Sequence, residues 1–106
     1  MDIRKVRFIE PGAPPYRRTP LNLFVYDRYI RNPSIGLMTL AIIVHRSIAD
    51  TLMYSECISK VRWDDCLDAD VVFLGMFTFA APRGYEIADE IRRQSKAVVV
   101  IGGLHA

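Results

Sequence analysis

The residues best suited to contact a ligand fall in three stretches. Gly102 and Gly103 follow the apolar run Ala97 to Ile101 in "AVVVIGGLHA", and His105 stands two residues further on. A backbone without side chains lets a ligand approach closely, although a glycine pair taken alone more often marks a tight turn. Thr78 lies in "GMFTFAAP", after the apolar run Val71 to Leu74. Its hydroxyl can meet a ligand or cap the helix that follows, and capping is the commoner role. The third stretch opens at Glu10, before Pro11 and Gly12, and runs to Asn32. His105 could act as ligand or base, with a solvated side chain as the default.

Other chemistry is excluded or weakly indicated. The sequence contains no GxSxG, HExxH, Walker loop or GxGxxG. Asp64, Asp65, Asp68 and Asp70 form an acidic group. Their spacing fits no calcium loop, and solvated turn residues are the simpler reading. Cys57 and Cys66 are too far apart for a metal knuckle or a redox CxxC, so both read as reduced, partly buried thiols. His45, late in an apolar segment, reads as packed or exposed. A phosphoacceptor site would need an acidic pair after the first strand, where Glu10 stands alone.

Composition narrows the class. The chain has 106 residues, 51% hydrophobic and 25% charged, with a net charge of +2, which suits one small globular domain. Its basic residues are scattered rather than gathered on one face, so no nucleic acid partner is expected. The amino-terminal "MDIRKVRFIEPG" has charges where a signal peptide needs an apolar core. The apolar stretch Ile35 to Val44 is too short for a membrane helix, which needs about 20 residues. A cytoplasmic domain without membrane partners is expected.

The elements that must position these loops can be read from periodicity. "KVRFIEPG" predicts a first strand, stopped by Pro11-Gly12. Residues 11 to 33 predict a long irregular loop, since Pro14, Pro15 and Pro20 exclude regular structure at its start. "PSIGLMTLAIIVHRS" predicts a helix with Ser34 as N-cap and Leu37, Leu40, Ala41 and Val44 on one face. Its other sides are apolar too, which predicts burial against both a sheet and a neighbour. Strands are expected at Asp50 to Glu56, Asp70 to Met76 and Ala97 to Ile101. "VRWDDCLDAD" predicts a turn or one short helix with Trp63 and Leu67 inward. "APRGYEIADEIRRQSK" predicts a helix started by Pro82, with Gly84, Ile87, Ala88 and Ile91 inside. Asp89 is placed to meet Arg92 and Arg93 outside. This alternation implies an α/β fold with an open parallel sheet. Ligands bind such sheets at the carboxyl ends of the strands, where all three loops fall.

Three segments, in order, resemble one family. "PSIGLMTLA", through Pro33, Gly36, Leu37, Leu40 and Ala41, is similar to the Pro-x-x-Gly-Leu-x-x-Leu-Ala stretch of cobalamin-binding domains that precede radical S-adenosylmethionine enzymes. "DADVVFLGMFTFAAPRGYEIADEIR" resembles their third strand, loop and helix through Asp70, Val71, Val72, Gly75, Pro82, Tyr85, Ile87 and Ala88. "VVVIGGLHA" resembles their fourth strand with its Gly-Gly-x-His ending.

The resemblance implies a flavodoxin-like, Rossmann-like cobalamin-binding fold, with corrinoid contacts at Thr78, Gly102, Gly103 and His105. It implies a module of a larger iron–sulfur enzyme, such as a methyltransferase or cyclase. The 4Fe-4S cluster and S-adenosylmethionine would belong to a part after Ala106, because this sequence has no CxxxCxxC. The family's other branch carries Asp-x-His-x-x-Gly after the first strand. Here "EPGAPPYRRTP" has no histidine, which implies no lower His ligand, and Phe77 replaces a small hydroxyl residue. The alternative is a degenerate flavodoxin-like interaction module that no longer binds cobalamin; a flavin or nucleotide domain is a third reading. In the 2-1-3-4-5 strand order the resemblance implies, an end after the fourth strand would leave residues 97–101 as an apolar edge. Self-association through that edge is then expected.

Overall fold

The structure, a computed structural model, describes residues 2–12, 35–56, 60–76 and 80–103. The seven elements are β1 (Lys5–Glu10), α1 (Ile35–His45), β2 (Asp50–Ser55), α2 (Trp63–Leu67), β3 (Val71–Gly75), α3 (Ala81–Gln94) and β4 (Val98–Gly102). All strand pairs are parallel, in the order β2-β1-β3-β4. The chain is therefore an α/β protein with an open parallel sheet of flavodoxin-like, Rossmann-like order. The order reverses at β1, whose neighbours β2 and β3 lie on opposite sides. Residues 13–34, which hold the long loop and Ser34, lie outside the described residues.

The alternation within β1 separates two cores. Val6 and Phe8 face α1, where they pack with Leu37 and Val71. Phe8 stacks on Phe73 with ring centroids 4.7 Å apart. Ile9 faces the other way, into a larger core with Val72, Leu74, Cys66, Ile87 and Ile91 under α2 and α3. Gly84, Ile87, Ala88 and Ile91 are buried along α3, as the helical period predicts, and Pro82 sits in its first turn. Trp63 and Leu67 of α2 pack against this core.

Three local expectations change. The inner face of α1 is Leu37, Ala41 and Val44, while Leu40 is exposed. Among the described residues the helix packs on the sheet, with Ile35, Met38, Leu40, Ile42 and Ile43 exposed. A pattern apolar on every side cannot say which sides find a partner. On α3, Glu90 rather than Asp89 meets the basic residues, pairing with Arg93 and accepting a bond from Gln94 at 2.6 Å.

The acidic group also departs from expectation, because it does not form one solvated cluster. Asp64 and Asp68 are exposed, but the Asp65 side chain is only 17% accessible. Asp70 accepts the backbone N–H groups of Arg4 (2.8 Å) and Lys5 (3.0 Å), joining the start of β1 to the start of β3. Those two bonds hold its carboxyl below the ordinary carboxylate range.

Candidate functional site

The carboxyl ends of β3 and β4 bring Gly75, Met76, Gly102 and Gly103 together. Gly75 and Gly102 are in-register partners, so they present the same face of the sheet, the one that carries α1. Leu37 covers Gly75, its Cδ1 lying 2.9 Å from where a Cβ would stand. Among the described residues nothing lies within 4 Å of the corresponding position at Gly102. The space above Gly102 is therefore open, and a Cβ would project into it.

Gly103 has a different reason to be glycine. Its φ of +105° is disfavoured for L side chains, and an added Cβ would lie 2.7 Å from the Met76 carbonyl oxygen. Just before it, the Gly102 carbonyl accepts the Met76 N–H at 3.1 Å. Gly103 is thus a turn against the β3 end, and among the described residues no atom occupies the space above Gly102. Thr78, Phe77 and His105 lie outside the described residues.

The ends of β1 and β2 complete this edge. Glu10 and Ser55 are in-register partners and both are buried. The Ser55 hydroxyl has no hydrogen-bond partner among the described residues. Glu56 accepts the Gly12 N–H at 2.9 Å and a forked pair of bonds from Arg83 at 2.8 and 3.0 Å. Arg83 also lies over the Trp63 ring at 5.8 Å. Glu56 holds the Arg83 guanidinium charged, raising its pKa above the usual value. This linkage anchors the chain leaving β1 to α3. A groove of about 370 Å³ runs between α2 and α3, lined by Trp63, Leu67, Ile87 and Ile91 with Arg83 at one side. It lies on the face opposite the open space at Gly102.

Sequence reasoning missed the densest polar network, centred on Arg7. This side chain is 3% exposed, and all five of its N–H groups have acceptors. Asp65 takes two of them, at 2.6 and 3.1 Å. Asp50 takes one on its carboxylate and one on its carbonyl, and the Val6 carbonyl takes the last. Asp65 also meets Lys5 at 2.8 Å and the Tyr54 hydroxyl at 2.7 Å. Burial opposes the Arg7 charge, but Asp65 and Asp50 outweigh it and raise its pKa. The Asp65 carboxyl is held well below the usual range, first by Arg7 and despite its burial. Its bond to Lys5 raises that ammonium's pKa in turn. The alternation of Lys5 and Arg7 with Val6 and Phe8 was the available signal, but it resembles an ordinary solvent face.

With every Arg7 donor matched, this network holds α2 on the sheet. It also gives a pH dependence. A carboxyl whose folded pKa is depressed contributes stability above its unfolded value, near 3.9, that is lost as pH falls toward the folded value. The urea midpoint is therefore expected to fall as pH drops below about 4. Asp65→Asn should flatten that slope. An unchanged slope in the variant would show that other carboxylates govern it.

Cys66 is buried and free, and burial pushes its thiol pKa up to about 11, which favours the protonated thiol at neutral pH. Among the described residues no group of three or more His, Cys, Asp or Glu is placed to hold a metal ion. Among them, too, no helix is long and apolar enough to cross a membrane.

The class these features define is an open parallel α/β domain. Comparisons with protein-family models, curated proteins and solved structures find no match.

Proposed function

We propose that this chain is a cobalamin-binding module of a larger radical S-adenosylmethionine iron–sulfur enzyme, holding a corrinoid at the strand ends without a lower histidine. The supporting observation is the open space above Gly102, on the face where Leu37 closes the equivalent position at Gly75. A corrinoid's nucleotide tail needs close approach to backbone, and a glycine with no neighbour inside 4 Å provides it. When bound, the corrinoid would supply cobalt-centred methyl transfer or redox chemistry. This chain's part would be to bind and orient it. The iron–sulfur cluster and S-adenosylmethionine would be held by other parts of the same protein.

Titration of the 106-residue chain with hydroxocobalamin tests the proposal. Retention of the corrinoid through gel filtration, with a shifted absorption spectrum, is expected. Gly102→Trp should abolish retention while leaving the far-ultraviolet circular dichroism intact. Free passage of the corrinoid by the parent chain would overturn the reading.

The second reading is a degenerate flavodoxin-like interaction module. The apolar residues exposed on α1 and β4 favour it. It predicts no corrinoid uptake and a wild-type response for Gly102→Trp.

A further inference from the structure

We infer that two copies of this chain pair edge to edge through β4, antiparallel, with Val100 on the two-fold axis. Among the described residues β4 is an outer strand of the sheet, bonded to β3 alone. Val98, Val100 and Ile101 are each more than a third exposed. The strand Val98–Gly102 carries no charge, proline or bulge, the usual devices that block edge pairing. Two such edges meet without like-charge repulsion, which suits a second copy.

The backbone selects the register. Val98 donates to Asp70 and the Gly102 carbonyl accepts from Met76, so the even-numbered residues bond to β3. By alternation, the N–H and C=O groups of Val99 and Ile101 point outward. On either side the edge is closed: the Ala97 N–H is bonded to Ser95 Oγ, and Gly103 turns away at φ +105°.

A parallel ladder is offset by one residue, so identical edges related by a two-fold axis cannot both satisfy it. An antiparallel ladder can. Pairing Val99 of each copy with Ile101 of the other satisfies every outward group on both strands. It sets Val100 opposite Val100 as a non-hydrogen-bonded pair. The two copies would then form one continuous sheet with both α1 helices on the same face. The same register places Val98 of one copy opposite Gly102 of the other.

Light scattering on the 106-residue chain at high micromolar concentration should give twice the monomer mass. Val100→Lys should restore the monomer without changing the circular dichroism. Facing Cα atoms in such a pair stand about 4.5 Å apart, within disulfide reach. Val100→Cys should therefore give, on mild oxidation, about tenfold more cross-linked dimer than Val98→Cys or the parent. A monomeric parent would overturn the proposal. So would equal cross-linking of both cysteine variants, or a dimer that survives Val100→Lys and is broken by Ile42→Lys on α1.

Discussion

Replacing Asp65 by alanine is expected to lower the unfolding free energy by about 3–5 kcal/mol, the cost of leaving a buried charge without its partner. Arg7 would keep only Asp50, half-exposed at 54%, and the two backbone carbonyls. Its guanidinium, at 3% exposure, cannot recover water without opening the α2 side of the sheet. Lys5 and Tyr54 would lose an acceptor in the same step. Small domains have total stabilities of about 5–15 kcal/mol, so this loss would leave the fold marginal. The neighbouring Asp64, whose side chain is 81% exposed, provides the control. Its alanine variant should stay within about 0.5 kcal/mol of the parent. Urea unfolding of the two variants decides the matter: similar midpoints would mean that the Arg7 network contributes little.

The second large effect separates the two adjacent glycines. Gly103→Ala should cost about 1–3 kcal/mol from backbone strain, because φ of +105° is unsuited to an L side chain. Contact with the Met76 backbone adds to that, since an atom 2.7 Å from a carbonyl oxygen cannot be relieved by a side-chain rotation. Gly102→Ala meets nothing within 4 Å and lies in a strand, where losing glycine reduces the entropy of the unfolded chain. It should be neutral or stabilising by about 0.5 kcal/mol. Thermal melts of both variants supply the measurement. Equal destabilisation would mean that the open space at Gly102 is closed in solution. A neutral Gly102→Ala that also weakens hydroxocobalamin retention would join the open space to the proposed cofactor.

These contrasts show where local sequence information stops. Both glycines follow the same apolar run, and nothing in "VIGGLH" distinguishes them. Only the packing of β4 on β3 sets one against Met76 and the other against open space. Likewise Asp64 and Asp65 are adjacent and chemically identical. One rotation step along α2 turns Asp65 toward Arg7, 58 residues earlier in the chain, and Asp64 toward solvent.

The sequence by itself determined the alternation of strands and helices, the parallel character of the sheet and the inner stripe of α3. Those features follow from periodicity and steric preference, which act over a few residues and leave their mark in residue type. Only the tertiary structure decided that Arg7 is buried and fully bonded, that α1 turns five apolar residues outward, and that Gly102 alone of the pair faces free space. Each of these depends on which distant surface arrives opposite a side chain. That is set by the collective packing of both faces of the sheet, which no short stretch of sequence encodes.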